Sequence, residues 1–220
     1  MKILCLYPMD ETTLFLNPIF DFLSNMDSFK GIRFESNEKD VELAIDAIKT
    51  CDEDTIIIFL GHGASHCLYK GDNTPFIGNE KIHLLANKRI FLLACRSAEF
   101  IDSNKNIEFK SSIGFGNMLT DWSEVLVERD ADANAYPDIS IEVIELYRSK
   151  LVNSIQCAWS RTITSQKDFE YLYLQIKLFI NKEITELLTK KNIPNYIALA
   201  NLLYVFITIE QPKLIRNIRV

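Results

Sequence analysis

Three short apolar runs constrain the chain more than any other feature. Residues 2–7 (KILCLY), 55–60 (TIIIFL) and 89–94 (RIFLLA) are built almost wholly from Ile, Leu and Phe. They are too short for ordinary helices and show no alternation of polar and apolar positions. They read as strands buried on both faces, the pattern of a central parallel sheet. Between the first two, residues 38–51 carry Val41, Ala44, Ile45 and Ile48 at helical spacing behind a capping Asn37. Residues 12–26 are helical in spacing but interrupted by Pro18, which predicts a loop before that helix, and 32–34 reads as a further short strand. Strands alternating with helices predict an α/β fold, a mostly parallel sheet with helices on both faces.

Downstream the pattern changes. Residues 64–80 contain the turn signals Gly71-Asp72-Asn73 and Gly78-Asn79 and read as loop or hairpin, followed by a short helix over 81–87. Residues 111–118 (SSIGFGNM) read as another strand in which Gly114 and Gly116 allow close backbone approach. Three helices then follow, over 140–160, 168–190 and 195–209. Residues 1–160 hold 15 basic and 25 acidic side chains, whereas 161–220 hold 9 basic and 5 acidic. That shift places a domain at 1–160 and a helical C-terminal extension packed on it at 161–220.

The bulk numbers also exclude functions. A formal net charge of −6 argues against nucleic acid as a partner, since phosphate binding needs cationic surface. The longest apolar stretch, 196–209, is broken by Asn201 and too short to cross a bilayer, so no membrane partner is expected. Five scattered cysteines without a CxxC pair, and no cleavable leader, fit reduced thiols in a cytoplasm.

Glycine is scarce, 7 in 220, yet six lie between Gly61 and Gly116 together with all three histidines. His62 follows the strand at 55–60 after one glycine, and Cys95 follows the strand at 89–94 directly. Sites on parallel sheets gather at the carboxyl ends of strands, and neighbouring strands lie only ~4.8 Å apart. A cysteine nucleophile needs a base within reach, which His62 would supply. Gly61 and Gly63 are expected to let the chain turn sharply around it. The Gly63 and Cys95 N–H groups together could form an oxyanion hole.

This ordered pair, IIIFLGHG at 56–63 and IFLLACRSA at 90–98, resembles the caspase-like cysteine peptidases of clan CD, which include caspases, legumains, gingipains, separases and CHAT domains. The Gln before and the Gly after the catalytic Ala-Cys of caspases proper are absent from Leu93-Ala94-Cys95-Arg96-Ser97, and the His-to-Cys spacing is a compact 33 residues. The likeness is closer to CHAT domains, whose later segments resemble SIGFGNMLTDWSE at 112–124 and IEVIELYRS at 141–149. The resemblance covers roughly residues 1–160. It implies a three-layer caspase-like fold and a cysteine endopeptidase with Cys95 as nucleophile and His62 as general acid/base. It further implies a protein substrate, control by an activating protein partner or by oligomerisation, and a setting such as bacterial regulated proteolysis or defence. No cofactor is expected, although some relatives require calcium.

Asp10 and Asp121 follow expected strands and, with Trp122, are candidates for the substrate-binding pocket, where acidic groups would favour Arg or Lys before the scissile bond. As turn or cap residues, the two aspartates have an equally simple structural explanation. Other readings remain open at this level. His62 and Cys95 could be a turn histidine and a structural thiol; His62, His66, Cys67 and Cys95 could hold zinc. The domain could also be an inactive caspase-like interaction or scaffold module using its C-terminal helices. A nucleotide-binding flavodoxin-like domain ranks last, because Pro8-Met9-Asp10-Glu11 is no phosphate-binding loop.

Overall fold

Each of the three apolar runs forms a strand in the computed structural model, which describes residues 1–207. The strands are β1 (Lys2–Pro8), β2 (Phe29–Phe34), β3 (Thr55–Leu60), β4 (Gly63–Ala64), β5 (Cys67–Tyr69), β6 (Pro75–Gly78), β7 (Arg89–Leu93) and β8 (Ser111–Ile113). The α-helices are α1 (Asn17–Ser24), α2 (Glu38–Thr50), α3 (Ser97–Ser103), α4 (Trp122–Ala131), α5 (Ile141–Thr164), α6 (Phe169–Lys190) and α7 (Tyr196–Ile207). Short 3₁₀ helices occupy Glu11–Leu16 and Ile82–Leu85.

Five strands pair in parallel in the order β2-β1-β3-β7-β8, an α/β sheet flanked by helices. Every residue of β3 is buried, as a central strand requires. Successive residues on β1 serve different helices. Leu4 and Leu6 join Ala44, Ala47 and Ile48 of α2 in one apolar cluster. Tyr7 points the other way, with its ring 5.8 Å from that of Phe20 on α1. Strand β1 therefore carries α1 and α2 on opposite faces. The segment after β3 forms the small antiparallel sheet β4-β5-β6, whose Leu68, Phe76 and Ile77 extend the cluster on the α2 side.

The described residues fold into two units, 1–116 and 117–207. The first holds the parallel sheet. The second is helical, with α5 and α6 as a hairpin capped by the side chains of Ser140 and Asp168 and bridged by Lys150–Glu183 at 2.6 Å. This division falls at 116, whereas the charge shift suggested one at 160. The apolar stretch expected to reach residue 209 is helical through Ile207, and its last two positions lie outside the described residues.

One expectation is corrected. The strand over 111–118 stops at Ile113, because the chain beyond it bonds to a helix instead of the sheet. The carbonyls of Gly116 and Phe115 accept from the Arg96 and Ala98 N–H groups, satisfying amides at the start of α3. No glycine has a positive φ, and left-handed positions are held by residues such as Asn73, Asn87 and Arg96.

Buried Ser97 joins β7, α3 and the segment after β8. Its hydroxyl donates to the Leu92 carbonyl at 2.6 Å and accepts from the Phe115 N–H at 2.9 Å. Ser97→Ala leaves both backbone groups without this partner, and should lower stability by about 1–3 kcal/mol. The expected result is a lower urea midpoint at unchanged slope; an unchanged midpoint would contradict the clip.

Candidate active site

The pairing of β3 with β7 places His62 and Cys95 just beyond the carboxyl ends of adjacent strands. Leu60 stands level with Leu93, and the ladder runs one step further through Gly61 N–H to the Leu93 carbonyl at 3.1 Å. Beyond it the register breaks, because the Ala94 N–H turns back to the Leu92 carbonyl at 3.0 Å, and the two segments meet again at Gly63. A Cβ on Gly63 would lie 2.9 Å from the Ala94 Cβ and 2.9 Å from the Cys95 carbonyl oxygen, so only glycine lets these two chain segments approach. Gly63 also faces Leu68 across β4–β5, and the Tyr69 N–H donates to the His62 carbonyl at 3.0 Å. That pattern makes Gly63–Leu68 a non-hydrogen-bonded pair, so the Gly63 N–H is not used in this ladder.

On the histidine side, the segment that follows β1 contributes Asp10 and Thr12. The chain leaves β1 at the point where strand order reverses, with β2 on one side and β3 on the other, the usual crevice for sites on parallel sheets. Asp10 caps the 3₁₀ helix Glu11–Leu16 by accepting from the Thr12 N–H at 2.8 Å, and it also accepts a short hydrogen bond from the Thr12 hydroxyl. His62 Nε2 lies 2.7 Å from Thr12 Oγ1 and 3.3 Å from Asp10 Oδ1. The site is partly open, with 25% of the His62 side chain and 15% of the Asp10 side chain exposed. Burial opposes ionisation of Asp10, but hydrogen bonds from the Thr12 hydroxyl and amide and from His62 outweigh it and hold the carboxyl below its ordinary range.

Two further elements fix this corner. Beneath it, the buried Tyr7 hydroxyl donates to the Thr13 carbonyl at 2.7 Å, and burial pushes its pKa up to about 12, so it stays a neutral donor. From the side, the turn between β5 and β6 presses on the chain after β1. A Cβ on Gly71 would lie 2.0 Å from the Met9 carbonyl oxygen and 3.7 Å from the Asp10 Cβ. Gly71, read from sequence as a plain turn residue, is therefore a close-packing residue beside the site.

Half-buried Cys95 sits in a tight strand-to-helix turn. The Ser97 N–H donates to the Ala94 carbonyl at 3.3 Å, and Arg96 adopts the left-handed conformation at φ 53°. The exposed Arg96 side chain pairs with Glu99 at 2.5 Å and keeps its carboxyl below the usual value.

The remaining sequence candidates have other partners. Asp121 caps α4 by accepting from the Ser123 N–H at 2.8 Å, and Arg148 meets its second oxygen at 3.1 Å. The Ser123 hydrogen bond leads the groups that lower the Asp121 pKa. Trp122 opens α4 and lies 5.1 Å beneath the Arg129 guanidinium. His66 is exposed beside Tyr69, and His83 lies in the 3₁₀ helix Ile82–Leu85. Among the described residues, no three His, Cys, Asp or Glu side chains form a metal-binding group. No described helix is long and apolar enough to cross a membrane.

Thr12 was not singled out from sequence. Asp-x-Thr after a strand is an ordinary capping pattern, and nothing local marks its contact with a histidine 50 residues away. No family model, curated protein or solved structure matches this chain.

Two measurements check this geometry. Gly71→Ala should lower stability by about 1–3 kcal/mol through overpacking. Gly78→Ala, where the nearest atom would be 3.7 Å away, should be nearly neutral; equal urea midpoints for the two variants would contradict the packing. For Asp10, a lowered folded pKa means its stabilising contribution is present above the unfolded value of ~3.9 and lost as pH falls through the lower folded value. Its carboxyl ¹³C titration should therefore have a midpoint below ~3.9. A midpoint above that value would contradict the hydrogen-bond pattern.

Proposed function

We propose that this chain is a cysteine endopeptidase of caspase-like, CHAT-domain type that uses a Cys95–His62 dyad on selected protein substrates. The observation that carries the reading is the placement of His62 and Cys95 at the carboxyl ends of adjacent central strands, with Gly63 packed against the Cys95 backbone. In the proposed reaction His62 takes the Cys95 thiol proton, and the thiolate attacks the scissile carbonyl carbon. Negative charge develops on the carbonyl oxygen, where the Gly63 and Cys95 N–H groups donate. His62 then protonates the leaving amine, and water hydrolyses the acyl-enzyme with His62 as base. No cofactor enters these steps. Asp10 and Asp121, each expected from sequence to bind substrate, already face partners, His62 and Arg148, which weakens a preference for Arg or Lys. Reduced thiols at all five cysteines fit a cytoplasmic setting.

A second reading, an inactive interaction or scaffold module, is favoured by one observation. Leu174 and Leu178 stand one turn apart on α6, 59% and 56% exposed. The same surface would serve an activating partner of the peptidase.

Purified protein incubated with a mixed peptide library and a denatured proteome should produce defined cleavages. Cys95→Ala and His62→Ala should each reduce them by at least about 10³-fold. Identical cleavage by wild type and both variants would overturn the reading. Slow alkylation of Cys95 by iodoacetamide, no faster than that of exposed Cys157 and unaffected by His62→Ala, would favour the inactive module.

A further inference from the structure

We infer that Thr12 and Asp10 are positioning residues that hold the neutral His62 ring with its proton on Nε2, leaving Nδ1 as the atom that accepts and returns the proton. The argument turns on the single proton of the Thr12 hydroxyl. Thr12 Oγ1 has two polar neighbours, Asp10 Oδ1 and His62 Nε2 at 2.7 Å. An ionised carboxylate can only accept. Asp10 is ionised at neutral pH, because hydrogen bonds hold its carboxyl below the ordinary range. The short Thr12–Asp10 contact therefore needs the hydroxyl proton; without it, two oxygen lone pairs would face each other. With that proton given to Asp10, Thr12 Oγ1 can only accept from His62, so Nε2 carries hydrogen. Asp10 Oδ1, 3.3 Å from Nε2, accepts part of the same hydrogen and repeats the requirement. A second group facing the same nitrogen thus points to the same tautomer.

The arrangement is braced by groups with no contact to His62. The Thr12 N–H holds Asp10 Oδ1 at 2.8 Å, and the Tyr7 hydroxyl holds the Thr13 carbonyl at 2.7 Å. The backbone at Met9 is confined by Gly71. The acceptor pair facing Nε2 is consequently set by three separate stretches of chain.

The role in the reaction rests on the cysteine-peptidase reading; the tautomer does not. When the Cys95 S–H bond breaks, the N–H bond forms at Nδ1, giving a thiolate and an imidazolium with no change in total charge. The imidazolium keeps Nε2–H on Thr12 and Asp10, whose carboxylate offsets the new charge. The Nδ1 proton later passes to the leaving amine nitrogen and restores the same neutral tautomer. Asp10 would thus act through His62.

Long-range ¹H–¹⁵N spectra of the full chain, with His62 assigned by loss of its signals in His62→Gln, read the tautomer without turnover. Wild type and Thr12→Ser should show Nε2 protonated, Nδ1 unprotonated and an Hε2 resonance protected from exchange. Thr12→Val and Asp10→Asn should show both tautomers and Hε2 exchange about tenfold faster, the scale of one lost hydrogen bond. A wild-type ring protonated on Nδ1 would overturn the inference. So would identical tautomer and exchange rate in wild type and Thr12→Val. If Cys95→Ala leaves peptide cleavage unchanged, the peptidase reading fails while the ring spectrum still decides the tautomer.

Discussion

The parallel pairing of β3 with β7 is the contact on which the rest of the site depends. The Gly61–Leu93 hydrogen bond carries the ladder past the last paired residues, and Gly63 then packs against the Cys95 carbonyl. A shift of one residue in that register would break the Gly61–Leu93 hydrogen bond and bring a residue with a side chain into the Gly63 contact. Because both faces of β3 are buried, hydrophobicity alone does not set this register, and the close approach at Gly63 does. The contacts that close the sheet here therefore also place the two strand ends that carry His62 and Cys95.

Much of this was legible from sequence because it rests on local patterns. Runs such as TIIIFL and RIFLLA have few alternatives to a buried strand, and Asn37 ahead of Val41, Ala44 and Ile48 marks α2 in the same way. Less local features escaped. Helix α3 begins at a left-handed Arg96 with no side-chain cap, so the usual starting signal is missing. Its first amides are satisfied by carbonyls from 115–116, which removes from the sheet a stretch whose sequence reads as strand. Helix α4 did carry a signal, Asp121 ahead of Ser123 and Glu124, and the cap reading of Asp121 is the one the structure bears out.

The glycines show the same division between local and tertiary information. Their clustering within 61–116 is visible in the sequence, and two of them, Gly63 and Gly71, pack closely beside Cys95 and Asp10. Their physical use was not visible. Turn flexibility was the natural expectation, yet none has a positive φ, and Gly63 and Gly71 matter because backbone from elsewhere occupies the space a Cβ would take. Such a need belongs to a pair of segments and leaves no mark on either one alone. Asp10 is similar: a strand-end aspartate is conspicuous, whereas its hydrogen bond to His62 depends on β1 lying beside β3.

The two sides of the site are built by different means. Cys95 is placed by backbone: a strand end, a left-handed residue and the Ser97 clip within a few residues of it. His62 also leaves a strand, but its ring is oriented by side chains from another strand end, Thr12 and Asp10, which are themselves held by Tyr7 and Gly71. Substitutions on the cysteine side should act mainly through folding, because the backbone there is part of the sheet and α3. On the histidine side an isosteric change can remove a hydrogen bond while leaving the packing in place. Orientation of the ring is thus separable from stability of the fold, which makes Asp10 and Thr12 adjustable in a way the β3–β7 pairing is not.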